Sequence, residues 1–294
     1  MSKRIGIVIL NYKTYIDTEK LVNEILSQQS PYELHIQVVD NASPNESYEY
    51  LKERFSHVSN VDVYYNPTNS GFARGNNVGL RLLKDHHVDY ALVLNNDIHF
   101  DLSVLEHLEF LYNQIPDVGV ISPLQRLPNN ELETFESLNC ESFLYDLSAY
   151  TYILRRLLRK RWVYKENTAY PSVQKVDIVP GCFLFIRYDL FESIGFFDES
   201  TFLFWEEHFL YKRLAEKGKS NYIALDCFYI HEHSKTINQE YQLTSQFKLH
   251  HEGLLLFTQR YRSNPRAKCL LLNIFYQLCI YRLRLKRFIK RAAK

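Results

Sequence analysis

The stretch Tyr90–Phe100, YALVLNNDIHF, decides the fold class of this chain. A continuous apolar run from Ala91 to Leu94 ends abruptly in Asn95-Asn96-Asp97. Short apolar runs with polar boundaries are typical of strands buried on both faces, as in parallel sheets. Ligands of open α/β sheets bind just beyond the carboxyl ends of such strands, where Asp97 could hold a divalent cation. The alternative is a polar turn that closes the strand.

The residues around this strand repeat the same order of strand and helix. Strands are predicted at 5–10, 34–39, 61–65, 91–94 and 118–122. Helices are predicted from a cap at Asp17 or Thr18 to about 28, and at 46–55, 76–84 and 101–114. Strands that alternate with helices of these lengths indicate right-handed βαβ units. The predicted fold class is therefore α/β, with a mixed, mostly parallel sheet flanked by helices.

The second half of the chain departs from this rhythm. Residues 125–170 form a variable insertion with a basic cluster at 155–161. Further strands are predicted at 176–179, 182–186 and 223–230, and further helices at 189–194 and 206–217. We expect one α/β domain over 1–236 and a helical, basic amphipathic extension over 237–294.

The composition of the chain limits the kinds of partner, metal site and cellular location that we expect. The 294 residues carry a net charge of +1, which gives no argument for a nucleic-acid partner. Five cysteines at wide spacings, without a CxxC pair, favour reduced thiols over a disulfide framework or a zinc site. The N-terminal apolar run is too short for a secretion signal, and no stretch suits a membrane span, so we expect a cytoplasmic protein.

Polar side chains that suit a nucleotide end three of the predicted strands. Asn11 and Tyr12 follow the first strand, Asp40 ends the second, and the triplet at 95–97 ends the fourth. Tyr12 could stack on a base, and Asp40 could accept hydrogen bonds from a base or a ribose. Each residue alone fits an ordinary loop better, but the carboxyl ends of parallel strands share one edge of the sheet.

A loop with two glycines at 69–77, NSGFARGNN, precedes a predicted helix. Gly71 and Gly75 permit close approach to the backbone, and N–H groups at a helix start attract anions. Arg74 could neutralise a phosphate. The pattern is neither GxGxxG nor a P-loop, which weighs against dinucleotide-binding and Walker-type classes. The glycines could also serve loop geometry alone.

A second acidic cluster lies at 195–208, GFFDESTFLFWEEH. Glu206 and Glu207 begin a predicted helix behind aromatic residues, where burial would raise the pKa of a carboxyl and suit it to general base catalysis. The alternative is acidic charge that favours a first helical turn. His231 could complete a cation site with Asp97, although a single histidine is more often structural.

Taken in order, these motifs resemble a known pattern. VILNYK, VVDNAS, NSGFARGNNVG, LVLNNDI, GCFLFIR and GFFDESTFLFWEEHFLYKRL, followed by His231, resemble family 2 glycosyltransferases of the GT-A fold, close to the bacterial rhamnosyltransferase-like branch. The resemblance covers about residues 4–236. It implies inverting transfer of a sugar from a nucleoside diphosphate donor, dTDP-rhamnose first and UDP-hexoses second. The implied acceptor is a glycan or lipid-linked glycan of bacterial surface polysaccharide synthesis.

The resemblance also implies roles for single residues. Asp97 matches the carboxylate that ligates Mg²⁺ or Mn²⁺, and His231 matches a histidine that can join it. Glu206 and Glu207 match a pair whose second member is the usual base. Tyr12 and Asp40 would meet the nucleobase, and Arg74 the diphosphate or nucleoside. The full substrate-binding set expected is Asn11, Tyr12, Asp40, Arg74, Gly75, Asn95, Asn96, Gly181, Asp198 and Trp205.

Two departures from the family pattern leave alternatives open. Asn95 replaces the first acid of the metal motif, which puts metal affinity in question. Glu207 is one methylene longer than the usual Asp, so Glu206 competes for the role of base. A non-catalytic nucleotide-sugar-binding or scaffold protein is the alternative. A nucleotidyltransferase is disfavoured because NYKTYID offers no glycine-rich, lysine-containing loop.

The C-terminal segment 265–294 combines helical apolar spacing with many basic residues. A basic amphipathic helix of this kind is typical of a membrane-surface element or a partner-binding helix. We expect either peripheral contact with the inner face of a bacterial membrane, or packing on the domain or on a second copy in a homodimer.

Overall fold

A computed structural model describes residues 2–133, 142–151, 154, 156–157, 172–232 and 243–292. Most of the expected insertion, including most of the basic cluster at 155–161, lies outside the described residues. So does the expected domain boundary at 236, and so does Cys140. The other four cysteines are free thiols.

The described residues form nine strands and nine α-helices. The strands are β1 (Arg4–Asn11), β2 (Glu33–Asp40), β3 (Val61–Tyr65), β4 (Tyr90–Leu94), β5 (Ile98–His99), β6 (Val118–Arg126), β7 (Val173–Val176), β8 (Phe183–Arg187) and β9 (Ser220–His231). The helices are α1 (Tyr15–Ser27), α2 (Ser47–Phe55), α3 (Gly71–Leu82), α4 (Ser103–Gln114), α5 (Phe143–Ser148), α6 (Tyr188–Ser193), α7 (Glu206–Glu216), α8 (Leu243–Tyr261) and α9 (Pro265–Ala292).

All of these strands join one mixed sheet in the order β3-β2-β1-β4-β8-β6-β9-β5, with β7 paired to β9. β1, β2, β3 and β4 are parallel, β8 runs against β4 and β6, and β9 is parallel to β6. The carboxyl ends of β1, β2 and β4 therefore lie at one edge, where Asn11 is in register with Asp40. The predicted α/β class with a mixed, mostly parallel sheet is confirmed.

The run at 91–94 is apolar throughout because both faces of β4 are buried. Leu92 and Leu94 face one core cluster, which α1, α2 and α4 cover. Ala91 and Val93 face a second cluster under α3, α6 and α7. Successive side chains of a strand point to opposite faces. In a strand between two helical layers both faces are buried, so every position favours an apolar residue.

A third cluster joins α7 to the C-terminal helices. Tyr150, after α5, packs with Trp205 and Phe209, with Leu254 and Phe257 of α8, and with Leu272 of α9. This cluster holds the start of α7 against α8, so the C-terminal helices pack on the region that carries Glu206 and Glu207. Within the described part of the chain, no helix is both long enough and apolar enough to cross a bilayer.

Several predicted boundaries were wrong. α1 begins at Tyr15, so Asp17 and Thr18 are inside it and not its cap. β7 covers 173–176 instead of 176–179, and the short strand β5 was missed. α3 begins at Gly71, five residues before the predicted start. Its first half holds glycine and asparagine, which favour turns in isolation, but here those residues are buried against the sheet.

Candidate active site

Side chains at the ends of β1 and β2 form a buried polar cluster. Asp40 is fully buried, and its carboxylate accepts hydrogen bonds from Asn11 Nδ2 at 2.7 Å and from the Ser43 backbone N–H at 2.9 Å. Ser43 Oγ in turn accepts from the Lys13 backbone N–H at 2.8 Å. The cluster fixes the loop that carries the half-buried Tyr12. Asn11, Tyr12 and Asp40 are thus brought together, and their contact with a nucleobase stays a prediction.

The turn after β4 is tied to two neighbouring elements. Asn96 Nδ2 donates to Thr14 Oγ1 at 2.7 Å and to Thr18 Oγ1 at 2.9 Å, which anchors the turn to the start of α1. The backbone N–H of Asn95 donates to the carbonyl of Cys182 at 3.0 Å, which anchors it to the start of β8. Asn95 is half-buried at the edge of the sheet. These bonds hold the following residue, Asp97, in a fixed position.

Asp97 and His231 face each other because β5 pairs with the end of β9, with Ile98 opposite His231. The distance from His231 Nε2 to Asp97 Oδ1 is 3.3 Å. Asp97 is 6% exposed, and neither of its carboxylate oxygens has a hydrogen-bond partner among the described residues. Buried carboxylates without donors are unfavourable. This arrangement fits a divalent cation, which would satisfy both oxygens.

The tautomer of His231 depends on Gln125. Gln125 Oε1 accepts from Tyr229 Oη at 2.9 Å, which directs the amide nitrogen toward His231 Nδ1, also at 2.9 Å. A neutral imidazole whose Nδ1 accepts a hydrogen bond carries its proton on Nε2, the atom that faces Asp97. His231 can therefore ligate a cation through Nε2 only after the proton moves to Nδ1 and the Gln125 amide turns over.

Glu207 lies against the turn at Gly181. A Cβ at Gly181 would overlap Glu207 Oε1, so this position accepts no side chain without movement of Glu207. The backbone N–H groups of Glu207 and Gly181 donate hydrogen bonds that lower the pKa of the Glu207 carboxyl, but burial raises it more. The net effect is a carboxyl with a raised pKa, held by a glycine turn.

Cys182 connects the two halves of the site. Burial raises the pKa of its thiol to about 12, and the charges of Asp97 and Glu207 both add to this rise. Its carbonyl accepts from the Asn95 N–H, and its neighbour Gly181 touches Glu207. Asp97 and Glu207, which are 110 positions apart in the chain, are therefore both close to this short turn at the carboxyl edge of the sheet.

Glu206 points into the protein interior. It is 3% exposed, and its Oε1 has no hydrogen-bond partner within the described ranges. Burial and then the charge of Glu207 raise the pKa of Glu206. The two carboxyls are adjacent, so the charge of either one opposes ionisation of the other.

The backbone that leads into this pair is strained. Phe204 and Trp205 have φ of +73° and +74°, a region that side chains other than glycine rarely adopt. The Trp205 ring is buried on α8 beside Gly253, where an added Cβ would lie 2.7 Å from Trp205 Cδ1. Trp205 thus helps to fix the start of α7, and a contact between Trp205 and substrate stays a prediction.

Three other residues of the expected site have clear structural contacts. Gly75 lies where a Cβ would be 2.6 Å from Leu10 Cδ1, so it serves the packing of α3 on β1. Asp198 is buried and pairs with Arg213 at 2.9 Å and Arg260 at 2.7 Å. Arg74 is exposed in the first turn of α3, and its Nε donates to the carbonyl of Glu199 at 3.0 Å. Their roles toward a substrate stay predictions.

Comparison with known proteins decides the family. The model of glycosyl transferase family 2 matches residues 6–195, which is more than half of the chain. The chain belongs to glycosyltransferase family 2. The resemblance carried by the ordered motifs is thereby confirmed at the level of the family.

A sequence relative supports the same assignment. The chain is 30% identical over 217 residues to the low-salt glycan biosynthesis hexosyltransferase Agl10 of the archaeon Haloferax volcanii. The aligned region is 72% of this family 2 chain and 62% of the relative. The chain therefore spans less than two thirds of the length of that relative.

Solved structures show that this family 2 member has the GT-A fold. A mannosyltransferase of Pyrobaculum calidifontis, in complex with GDP-Man and Mn²⁺, has a TM-score of 0.59 at 15% identity, over 95% of this chain and 71% of that one. S. aureus TarS in complex with UDP-GlcNAc has a TM-score of 0.57 at 14% identity, over 92% and 71%. GalNAc-T7 with UDP, GalNAc and Mn²⁺ has 0.62 at 13%, over 89% and 49%.

Some residues at this site were not singled out from the sequence. Gln125 and Cys182 lie in or beside strands whose apolar sequence predicts only a buried core. Asn41 forms a hydrogen bond to Asn69 Oδ1 at 3.1 Å, which connects two loops. Asn41 follows Asp40 directly, so its position at a strand end was the available signal. For Gln125 the sequence holds no signal, because its partner His231 comes from a strand 106 residues away.

Proposed function

We propose that this chain is an inverting glycosyltransferase that moves a hexose from a nucleoside diphosphate to an acceptor hydroxyl. The observation that carries the proposal is that Asp97 and Glu207 both lie close to the Gly181-Cys182 turn. Inversion needs a base on the face of the sugar opposite the leaving group. A carboxylate beside a candidate cation site, at the edge where α/β sheets bind ligands, meets that need.

Glu207 is the base in this proposal. Its carboxylate takes the proton of the acceptor hydroxyl as that oxygen attacks the anomeric carbon. The Gly181 N–H holds the carboxylate, and the raised pKa makes it a stronger proton acceptor once it is ionised. Burial and the charge of Glu207 raise the pKa of Glu206, which favours its neutral form. Its role is to support the start of α7 without a second negative charge.

Asp97 would hold a divalent cation, Mn²⁺ or Mg²⁺, and His231 would join it in the tautomer with the proton on Nδ1. When bound, such a cation supplies positive charge against the leaving diphosphate. The structural neighbours that contain Mn²⁺ support this part of the proposal. Arg74, exposed at the start of α3, is proposed to contact the diphosphate.

We infer that the donor is dTDP-rhamnose or, second, a UDP-hexose, and that the acceptor is a glycan or lipid-linked glycan of bacterial surface polysaccharide synthesis. The name of the archaeal relative, a glycan biosynthesis hexosyltransferase, supports a hexose and a glycan acceptor. The neighbours in complex with GDP-Man and UDP-GlcNAc support a nucleoside diphosphate sugar as the donor class.

A thermal-shift screen of nucleoside diphosphates, with and without Mn²⁺, tests the donor class and the cation together. We expect one nucleoside diphosphate to raise the Tm, and Mn²⁺ to increase that shift, because ligands that bind only the folded state stabilise it. Asp97→Asn should remove the increase that Mn²⁺ causes. Asp85→Asn, which changes an exposed carboxylate three residues after the end of α3, is the matched control and should keep it.

The proposal fails if no nucleoside diphosphate changes the Tm and no donor sugar releases its nucleotide. Equal Mn²⁺ effects in the Asp97→Asn and Asp85→Asn variants would remove Asp97 from the cation site.

A further inference from the structure

The long helix α9 has two opposite apolar faces. One face packs in the cluster with α8 through Leu272, Phe275, Tyr276 and Cys279. The opposite face is exposed and unpartnered by any described element: its side chains are Leu271 (43%), Ile274 (47%), Leu278 (56%), Tyr281 (65%) and Leu285 (44%). Exposed apolar stripes of this kind mark interaction sites, because soluble surfaces rarely keep large side chains in a contiguous row.

The charged residues around this stripe indicate which kind of partner binds to it. Residues 265–294 include nine Lys and Arg and no Asp or Glu. Arg282 and Arg284 are exposed beside the stripe, one on each side of it when residues are placed 100° apart around a helix. A second copy of α9 packed in parallel would bring the basic residues at 282–294 of the two helices together, which is unfavourable. An anionic surface would satisfy both the apolar stripe and the cations.

We propose that α9 docks in the plane of a bilayer that contains anionic lipid. The stripe enters the boundary between headgroups and acyl chains, and the flanking basic residues meet the lipid phosphates. α9 is 28 residues long, and no described helix is apolar enough to cross a bilayer, so the helix lies on the surface.

The docked helix is rigidly joined to the rest of the protein. The His251 ring on α8 stacks on Tyr276 with ring centroids 4.0 Å apart, and its Nε2 is 3.0 Å from Asn273 Oδ1. Further along α8, Gly253 contacts Trp205, the residue before Glu206. Docking of α9 would therefore hold the carboxyl edge of the sheet at a constant distance from the membrane.

Co-sedimentation of the full chain with vesicles tests the proposal. We expect binding to vesicles of phosphatidylglycerol and phosphatidylcholine, weaker binding in high salt, and none to phosphatidylcholine alone. Leu278→Asp should weaken binding by about tenfold or more, because it places a negative charge in the apolar stripe. Phe110→Asp, which changes an equally exposed apolar residue on α4, is the matched control and should leave binding unchanged.

A second variant separates a loss of vesicle binding from misfolding of the Leu278→Asp protein. Arg282→Gln combined with Arg284→Gln leaves the stripe intact and should reduce binding to the anionic vesicles without a change in the circular dichroism spectrum. The proposal is overturned if the unmodified chain stays in the supernatant with anionic vesicles, or if Leu278→Asp and Phe110→Asp bind equally. It is also overturned if Leu278→Asp abolishes a dimer, seen by light scattering, while vesicle binding is absent throughout.

Discussion

At the scale of single residues, the chemistry depends on two adjacent carboxyls with different surroundings. Glu207 accepts a backbone hydrogen bond from Gly181, whereas Glu206 is buried with one oxygen unpartnered in the described structure. Burial raises the pKa of both, and the charge of Glu207 raises that of Glu206 further. Because each charge opposes the other, loss of the first proton from the pair makes loss of the second less favourable.

The raised pKa of Glu206 predicts a pH-dependent effect of Glu206→Gln on stability. A carboxyl whose pKa is higher in the folded state contributes stability at acid pH that is lost as pH rises through the folded-state pKa. Gln, which never ionises, should therefore stabilise the protein by about 1 kcal/mol or more at pH 9 and have little effect at pH 5. Denaturant unfolding at both pH values measures this, with the exposed Glu53→Gln as control. An equal change at both pH values would contradict the raised pKa.

The sequence predicted the residues at strand and helix ends but not the contacts between them. Asp97 and Glu207 were found because one follows an apolar run and the other begins a helix behind aromatic residues. That both meet Gly181-Cys182 was beyond any local pattern, since the turn, the 95–97 triplet and α7 come from three distant segments. Asp198 was likewise singled out for its acidic motif, and its ion pairs with Arg213 and Arg260 come from segments that the motif does not indicate.

At the scale of elements, the start of α7 is set by packing from a helix far along the chain. Phe204 and Trp205 keep left-handed backbone angles that local preference disfavours, so tertiary contacts must hold them. One of these is the contact of Trp205 with Gly253 on α8, where an added Cβ would lie within 3.2 Å of three Trp205 atoms.

Gly253→Ala should therefore weaken both stability and turnover. The added methyl group must push the Trp205 ring, at a cost of about 1–3 kcal/mol typical of overpacking, and the shift reaches Glu206 and Glu207. At an ordinary glycine in the middle of a helix, replacement by alanine would instead stabilise the protein. Thermal unfolding and kcat are the measurements, with Lys248→Ala on an exposed position of α8 as control. A stabilised variant with unchanged kcat would show that Trp205 does not depend on this contact.

Helix α3 illustrates how packing overrides local preference. Gly75, Asn76, Asn77 and Gly79 are weak helix formers, and the sequence predicted a helix only from residue 76. In the structure a Cβ at Gly75 or Gly79 would lie 2.6 Å from Leu10 or Val8 of β1. The absence of side chains lets the helix approach the sheet closely, and that approach stabilises the helix.

At the scale of the whole molecule, the stability of the cluster that joins α5, α7, α8 and α9 depends on pH. Burial, with the charges of His250 and Arg262, lowers the pKa of His208 to about 3. The ring centroid of His208 lies 4.0 Å from that of Trp205, inside this cluster. No sequence pattern indicates this, because His208 directly follows the Glu206-Glu207 pair, which already accounts for the motif.

Acid should therefore weaken the fold through His208. A histidine whose pKa is lowered by folding contributes stability above its unfolded value of about 6.5 that is lost as pH falls toward 3. The loss from this one group approaches about 1.4 kcal/mol per pH unit in that window. Unfolding free energies measured at pH 7, 5 and 4 should fall less steeply in His208→Gln than in the unmodified chain. His57→Gln, at an exposed position, should keep the original slope, and identical slopes in all three proteins would refute the assignment.

The strands up to β4 could be predicted from the sequence, whereas much of the sheet after β4 could not. The first four parallel strands follow from alternation alone, since each is a local apolar run followed by a helix. The remaining half depends on β9, whose bulge between Ala224 and Phe228 lets one strand pair with β6, β7 and β5. No local pattern encodes a strand with three partners, and β5 has only two residues, so β5 was missed and β7 was misplaced.

The turnover of Glu207→Gln with its nucleotide sugar donor tests the central claim most directly. Gln keeps the size of the side chain and the contact with the Gly181 turn but cannot take a proton. We expect kcat to fall by about 10²–10⁴, the usual share of a general base, while the Kd for the donor stays unchanged. Glu206→Gln should lower kcat far less. Near-normal kcat in Glu207→Gln would contradict the claim that this carboxylate performs the proton transfer.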